Sequence, residues 1–365
     1  MGGPCRERAL IIAATAVLLA AAGCAGQTDS RPAGSDVAGS AAWSIGSSSE
    51  GSLAGSIASG SETALLPLPQ TPPALDARRV ALGRALFADR RLSQDGRVAC
   101  SDCHQLAFGG GNGQRKSQLP NRPPVVVNVP TIFNLSYTFR YAWNGRFERL
   151  EDQIDFALTV PSAMGNDWSH VVASLTRDAG LRAAFRAAYP AGLDAASARD
   201  ALAVYVRSLV TPNARFDRYL RGELSLSAQE RRGYERFRDY GCVSCHQGAN
   251  IGGNMFERFG VMRDYFADRG GLEPADMGRY AATKQDRDRH VFRVPSLRNV
   301  ALTAPYFHDG STATLGEAIA KMGRYQLGRE LSGEDIAEIA AFLHTLTGEL
   351  PGREAAVAGH IGGSP

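Results

Sequence analysis

The sequence predicts a mostly α-helical protein in which a small helical unit occurs twice. Three segments start with a capping-box pair, in which a serine is followed three positions later by an acidic residue, and continue with apolar residues at helical spacing. These pairs are Ser197 with Asp200, Ser227 with Glu230, and Ser332 with Asp335. Sustained alternation of apolar and polar residues, which is typical of a strand, is missing from the sequence.

The repeat is visible before two Cys-x-x-Cys-His motifs. A helical segment with a glycine and a phenylalanine at positions 83 and 87 leads to the motif at residues 100–104. The same spacing, at positions 233 and 237, leads to the motif at residues 242–246. We interpret these segments as two copies of one unit and place their joint between about residues 215 and 225.

Composition limits the classes of function. The chain is 44% hydrophobic, which is enough for two compact domains, and its 40 Lys and Arg against 37 Asp and Glu give a net charge of +3. Since no basic run resembles a phosphate-binding stripe, no nucleic-acid partner is predicted. The one long apolar stretch, residues 9–22, is too short to span a bilayer comfortably, which excludes a polytopic membrane protein.

The first residues resemble an export signal. Arg6 and Arg8 form a basic start, an apolar run follows, and residues 20–24 read Ala-Ala-Ala-Gly-Cys. This ending resembles a lipoprotein processing site, although Ala21 stands where leucine is usual, and it predicts a lipid anchor on Cys24. The alternative is ordinary cleavage nearby. Either outcome places the protein in the periplasm.

The predicted organisation has five segments. Residues 1–24 are the signal peptide, and residues 25–74 are a linker rich in Ser, Gly and Pro that cannot bury enough apolar surface to become ordered. An N-terminal unit over residues 75–220 and a C-terminal unit over residues 221–350 follow. Residues 351–365 form a tail.

The two Cys-x-x-Cys-His motifs indicate covalently bound c-type haem. Two thiols on one helical turn can add to the two vinyl groups of a haem, and the next histidine then reaches the iron. The first haem would be held by Cys100, Cys103 and His104, and the second by Cys242, Cys245 and His246. Paired cysteines also bind zinc. The histidine after each pair and the predicted export favour haem.

The ligand on the far side of the second haem is predicted to be Met322. In small c-type domains a methionine commonly supplies this ligand from a loop before the C-terminal helix, and Met322 precedes the helix that starts at Ser332. Met255, Met262 and Met277 are alternatives. A haem with histidine and methionine ligands is closed and suited to electron transfer.

The first haem has no such candidate. Neither histidine nor methionine occurs between His104 and Met164, and the intervening loop over residues 109–116 is polar and expected to be flexible. An iron without a second protein ligand is open to a small oxidant. One closed haem and one open haem suit a protein that accepts electrons at one centre and uses them at the other.

From about residue 75 to residue 348 the chain resembles the bacterial di-haem cytochrome c peroxidases, whose superfamily includes MauG-like enzymes. The markers are the two haem motifs, Val-Pro-Ser-Leu-Arg-Asn at 294–299, Thr-Ala-Pro-Tyr-Phe-His-Asp-Gly at 303–310 and Tyr-Gln-Leu-Gly at 325–328. The resemblance implies two cytochrome c-like domains with Ca²⁺ between them. It also implies a peroxidatic N-terminal haem and a C-terminal haem that receives electrons.

The resemblance assigns further residues. Trp143 matches the tryptophan between the haems, Gln153 a glutamine of the peroxide pocket, and His308 the histidine beside a propionate of the peroxidatic haem. The calcium-binding positions match Asn128, Thr303 and Pro305, which offer the oxygen ligands that a hard cation prefers. A homodimer is expected from the resemblance alone.

Two positions depart from the family pattern. The distal histidine of many members is Pro120 here, which predicts a first haem that is always open. The pocket glutamate is Ala163, which cannot move a proton between the peroxide oxygens. Gln153, Arg115, Lys116 or a water that they hold are the candidates to replace it.

The function predicted is reduction of hydrogen peroxide to water with electrons from a small donor, either a cytochrome c or a cupredoxin. Electrons would enter at the His246 haem and be used at the His104 haem. One alternative is a MauG-like oxidase of a protein or small organic substrate, which Met322 disfavours because the methylamine-utilisation enzyme has a tyrosine there. The other is a non-enzymatic di-haem electron-transfer protein in which Ala163 marks lost peroxide chemistry.

Overall fold

The computed structural model describes residues 64–71 and 73–351. The predicted signal peptide with Cys24, most of the linker and the tail beyond residue 351 lie outside these ranges. The helices are α1 (Ala77–Phe87), α2 (Cys100–Cys103), α3 (Leu150–Thr159), α4 (Trp168–Leu175), α5 (Ala179–Ala188), α6 (Ala195–Ser208), α7 (Arg215–Leu220), α8 (Ala228–Asp239), α9 (Tyr265–Arg269), α10 (Tyr280–Thr283), α11 (Leu315–Gln326) and α12 (Gly333–His344). Strands β1 (Phe256–Arg258) and β2 (Val291–Arg293) pair antiparallel. The mostly α prediction is confirmed.

Local capping signals account for the helix starts. Ser227 and Ser332 are the N-cap residues of α8 and α12, and each accepts from the backbone N–H three positions on, as predicted. The prediction for Ser197 is wrong by one turn. The N-cap of α6 is Asp194, and Ser197 lies inside the helix as the reciprocal partner in the capping box. Among the described helices, none combines the length and the apolar character needed to cross a membrane.

Each copy of the repeat contains a close helix crossing at its glycine. A Cβ at Gly83 of α1 would lie 1.9 Å from the carbonyl oxygen of Ala201 in α6, and one at Gly233 of α8 would lie 1.8 Å from that of Glu338 in α12. Both crossings therefore need a residue without a side chain. The sequence repeat corresponds to the same backbone contact made twice.

Three apolar clusters form the core of the described residues. The first packs α1, α4, α5 and α6 around Phe185, and the second packs α7, α8 and α12 around Phe216 and Phe342, whose rings meet edge to face at 4.9 Å. The third is aromatic and is built on Phe259, Tyr265, Phe266, Phe292 and Tyr325. Trp143 and Met322 pack against the third cluster. That cluster therefore joins residues from both halves of the chain.

The last residues of the predicted linker are packed. Leu65 and Leu68 are buried, and the amide of Leu68 donates to Asp217 at 3.1 Å. The guanidinium of Arg298 donates to the carbonyl of Leu66 at 3.0 Å and pairs with Asp217 at 2.6 Å. The sequence predicts that the ordered chain begins near Leu75, but residues 64–71 are already packed. Leu65 and Leu68 supply the apolar surface that the Ser- and Gly-rich part of the linker lacks.

Candidate haem sites

The first haem motif is a single helical turn. Helix α2 carries Cys100 and Cys103, and burial raises the pKa of the Cys100 thiol to about 12. His104 follows, and its Nδ1 lies 3.0 Å from the carbonyl oxygen of Gly110. Since a carbonyl can only accept, Nδ1 carries the proton, and Nε2 keeps a lone pair for a metal. Burial also lowers the pKa of His104, which keeps the imidazole neutral.

The glycine loop after this motif is tied to the motif. Gly109 and Gly110 have φ of +66° and +82°, a region that favours glycine. The amide of Gly110 donates to Gln105 at 3.0 Å, and the hydroxyl of Thr131 donates to the carbonyl of Gly109 at 2.6 Å. The prediction of a flexible loop is therefore wrong for its first residues, which hold the hydrogen-bond acceptor of His104.

The second motif is also compact. Cys242 opens a 3-10 turn over Cys242–Ser244, and burial raises the pKa of its thiol to about 11. Burial lowers the pKa of His246 to about 4, with only a partial offset from backbone groups. Its buried Nδ1 has no hydrogen-bond partner among the described residues. A neutral imidazole of this kind can donate a lone pair to iron.

A cavity of about 580 Å³ lies beside the second motif, within the ~300–1,000 Å³ range of cofactor pockets. His246 and Met322 both line it, together with Cys242 and Cys245. Met322 lies inside helix α11 rather than in a loop, which corrects the sequence prediction of its setting.

The alternative methionines are placed less favourably. Met262 lines the same cavity but is 62% exposed. The sulfur of Met277 accepts from Arg289 at 3.6 Å. Met322 is the half-buried methionine that lines the cavity, so the residues present would fit a haem held by His246 and Met322.

Trp143 connects the two halves of the chain. Its indole Nε1 donates to the carbonyl of Asn128 at 2.8 Å, and its own carbonyl accepts from the amide of Arg293 in β2 at 2.9 Å. Trp143 also lines the cavity. The side chain is thereby held at the wall of the second haem site by one contact from each half.

The residues predicted to bind calcium lie on the same wall. Asn128, Thr303 and Pro305 all line the cavity. The amide of Asn128 donates to the carbonyl of His308 at 2.7 Å, and its Nδ2 donates to Gln114 at 2.9 Å. The backbone N–H and the Nδ2 of Asn128 thus both donate within the protein, and its side-chain oxygen remains as an acceptor suited to a hard cation.

His308 belongs to a buried charge network that the sequence did not reveal. Its Nε2 donates to Asp276 at 2.7 Å, and Arg269 binds both Asp276 and Asp309. Burial alone would raise the pKa of Asp276, but the bonds from Arg269, the Glu273 amide and His308 lower it to about 2. The atoms of Asp276, His308 and Asp309 lie close enough to hold a metal ion. The guanidinium already supplies the positive charge there.

Two polar side chains have unpaired atoms: Gln153, which the resemblance assigns to the peroxide pocket, and Arg122. The Oε1 atom of Gln153 in α3 and the Nε atom of Arg122 are buried without hydrogen-bond partners among the described residues. Arg122 donates to the carbonyl of Ala163, where the family has its glutamate, and pairs with Asp95 at 2.7 Å. Pro120 lies on an exposed turn. No sequence motif contains Arg122, so the sequence analysis did not identify it.

Arg115 and Lys116 are occupied elsewhere. Arg115 donates to the carbonyl of Asp309 at 3.2 Å, and Lys116 forms an ion pair with Glu273. Of the three residues considered as replacements for the pocket glutamate, only Gln153 has a buried side-chain atom without a partner.

The described residues form a mostly helical protein with two Cys-x-x-Cys-His motifs, each preceded by a helix that makes a close crossing at a glycine. The family model for di-haem cytochrome c peroxidases matches residues 77–225. The chain is 42% identical to the cytochrome c peroxidase Ccp of Escherichia coli K12, over 77% of this chain and 60% of that relative's length. It is 37% identical to the cytochrome c551 peroxidase of Nitrosomonas europaea, over 76% of this chain and 82% of the relative.

A solved structure agrees with this relationship. A MauG-like protein associated with microbial copper homeostasis superposes with a TM-score of 0.69 at 30% identity, covering 78% of this chain and 95% of that one. The chain belongs to the bacterial di-haem cytochrome c peroxidase family. Membership of this family implies two haems.

Proposed function

We propose that the protein reduces hydrogen peroxide to water with electrons from a small periplasmic donor, a cytochrome c or a cupredoxin. The observation that carries the proposal is the cavity that His246, Met322 and Trp143 all line. Bound haem supplies the redox-active iron. The relatives named as cytochrome c peroxidases support the reaction type.

The two motifs would attach both haems covalently, and the two irons would differ in their protein ligands. Cys100 and Cys103 would hold one haem with His104 as its ligand, and the opposite face would stay open because Pro120 lies on an exposed turn. Cys242 and Cys245 would hold the second. There His246 and Met322 would occupy both faces, which favours electron transfer over substrate binding.

Trp143 would carry electrons between the two centres. The hydrogen bond to Asn128 holds its indole, and the bond from Arg293 holds its backbone, so contacts from both halves fix the residue. An aromatic ring held in one orientation gives electron transfer a constant geometry. Calcium bound at Asn128, Thr303 and Pro305 would stabilise the same wall, since all three residues line it.

The chain's own polar groups would handle the peroxide proton. The buried, unpaired Oε1 of Gln153 can accept a hydrogen bond from peroxide or from a water molecule. Ala163 supplies no acid or base, so we propose that a water molecule held by Gln153 transfers the proton. This replacement suits a pocket in which Arg115 and Lys116 are held elsewhere.

We also propose export to the periplasm, with Cys24 as a lipid anchor, and a homodimer as the assembled form. The export signal and Cys24 lie outside the described residues, so these proposals rest on the sequence. Mass spectrometry of the N-terminal peptide from cells tests the anchor, because a diacylglycerol on Cys24 has a defined mass. An unmodified N-terminus at another residue would refute it.

The test of the function is peroxide-dependent oxidation of reduced cytochrome c by the calcium-loaded protein. Replacing Trp143 with Phe should lower turnover on the order of tenfold, equal to ~1.4 kcal/mol of barrier. The matched control is Trp168→Phe, because Trp168 is hydrogen-bonded to Asp155, packs against the first apolar cluster and does not line the cavity. Equal rates for both variants would refute the role of Trp143.

A second candidate is a MauG-like oxidase of a protein or small organic substrate. The similarity to a MauG-like structure and the loss of the glutamate at Ala163 favour it. A first haem that binds cyanide but turns over no peroxide would support this candidate over the peroxidase. Slow or absent cyanide binding at both haems would instead indicate a simple electron-transfer protein.

A further inference from the structure

Arg293 is a buried cation without a counter-ion. It lies at the end of β2, is 7% exposed, and lines the cavity beside His246 and Met322. Its side chain contacts only neutral acceptors, with Nε donating to the carbonyl of Ala142 at 3.3 Å and Nη1 to the hydroxyl of Thr138 at 3.5 Å. No described carboxylate lies within 4 Å of its guanidinium, and Nη2 has no hydrogen bond to any described residue.

Other arginines in the interior differ in this respect. The buried Arg298 pairs with the buried Asp217 at 2.6 Å, and the half-buried Arg269 binds Asp276 and Asp309. A buried charge is costly unless an opposite charge and hydrogen bonds accompany it. The full burial of Arg293 lowers its pKa to about 10, which still leaves it charged at neutral pH. The missing anion must therefore come from what fills the cavity.

We propose that Arg293 binds a propionate of the haem held by Cys242, Cys245 and His246, and thereby sets the reduction potential of that haem. The two propionates are the anionic groups of a haem, and the guanidinium is a planar donor that matches a carboxylate. The assignment rests on the haem placement in the proposed function and adds a residue that neither the motifs nor the resemblance identified.

The same residue joins the propionate to the bridging tryptophan. The backbone amide of Arg293 donates to the carbonyl of Trp143 at 2.9 Å, and its Nε reaches the preceding residue, Ala142. Arg293 thus positions the backbone of Trp143 and would also neutralise the propionate. Reduction adds one electron to the iron, and a nearby fixed cation stabilises the more negative, reduced form.

The test is the midpoint potential of each haem, measured by spectroelectrochemical titration of the purified holoprotein. Arg293→Gln should shift the potential of the Met322-ligated haem to a more negative value and leave that of the open haem unchanged. Arg293→Lys keeps the charge and should retain most of the wild-type potential. The matched control is Arg140→Gln, which removes a cation from the neighbouring turn that is already paired with Glu148.

A wild-type potential of the second haem in Arg293→Gln, at full haem content, would overturn the proposal. So would a shift confined to the first haem. If Arg293→Gln does not fold, the propionate-bending band in the resonance Raman spectrum of Arg293→Lys decides, because a lysine cannot reproduce the two-pronged contact. An unchanged band would refute the contact. None of these readouts uses peroxide turnover, so a negative result here can be distinguished from a failure of the proposed peroxidase activity.

Discussion

At the scale of single residues, burial sets the protonation state of the two motif histidines. The two motif histidines are kept neutral by removal from water, and the pKa of His246 falls to about 4. The hydrogen bond to Gly110 aims the free nitrogen of His104 away from the glycine loop. Neutral imidazole is the form that binds iron, so both side chains are prepared for ligation before any metal arrives.

The Met322 assignment has a direct test. Met322→Ala should lower donor-driven turnover on the order of a hundredfold or more, equal to ~2.7 kcal/mol of barrier, while both haems remain attached through their cysteines. The measurement is cytochrome c oxidation together with haem content by mass spectrometry. Met262→Ala is the control, since Met262 lines the same cavity but is largely exposed. Unchanged donor kinetics in Met322→Ala would refute the assignment.

Asp276 predicts a defined acid sensitivity. Its pKa in the folded protein is about 2, below the ordinary value of 3.8, so the group stabilises the fold fully above pH ~4 and loses this contribution as the pH falls toward 2. Urea unfolding should show a loss of about 2 kcal/mol across that window. Asp276→Asn should lose this part of the pH dependence, whatever its stability at neutral pH. An identical slope in both proteins would contradict the network.

At the scale of helices, two close crossings at glycines determine how the main helix pairs pack. Gly83 and Gly233 are the points where α1 meets α6 and where α8 meets α12, with the facing carbonyl oxygen less than 2 Å from a Cβ position in each case. Each Cys-x-x-Cys-His segment follows one of these helices, with residues 88–99 between α1 and Cys100 and residues 240–241 between α8 and Cys242.

Alanine at either glycine should destabilise the protein. Helix propensity alone would favour alanine by ~1 kcal/mol, but the clash with backbone outweighs this and should leave a net loss of about 2–3 kcal/mol. The measurement is the free energy of unfolding of Gly83→Ala and Gly233→Ala. Gly316→Ala in α11 is the control, because its nearest neighbour is the side chain of Ile336 at 3.4 Å. Equal stability of all three variants would contradict the crossing argument.

At the scale of the whole molecule, one buried ion pair joins distant parts of the chain. Asp217 and Arg298 are fully buried, and between them they bind the backbone at Leu66, Leu68 and Ala249. Ala249 lies three residues after His246, so the N-terminal segment 64–71 is fastened to the loop of the second haem motif. The ion pair thus links residues 64–71 to the loop that follows the second Cys-x-x-Cys-His motif.

Breaking this pair should be costly. Asp217→Asn leaves the Arg298 charge buried and unpaired, which typically destabilises a protein by about 3–5 kcal/mol. Denaturant unfolding of the holoprotein measures the loss. Glu223→Gln is the control, since Glu223 pairs with Arg221 at the surface, where an ion pair contributes about 0–1 kcal/mol. A loss no larger than that of the control would show that the junction is not structurally important.

The sequence alone determined the features that depend on neighbouring residues. The two haem motifs, the helix starts at Ser227 and Ser332 and the glycine repeat are all encoded within a few positions. It also indicated Met322, from its place before the last helix, and Trp143, through the resemblance to the family. It misjudged Ser197 because Asp194, three residues earlier, is the N-cap instead. It misjudged the glycine loop because the hydroxyl of Thr131, 22 positions away, holds Gly109.

The tertiary structure decided every feature that depends on distant residues. Asp276 meets His308 across 32 positions, and Arg298 reaches Leu66 across 232. The isolation of Arg293 from any carboxylate could not be inferred either, since the sequence contains 37 acidic residues and gives no sign of which ones lie near it. Charge compensation in a protein interior is set by three-dimensional distance and burial, and neither is encoded in a local motif.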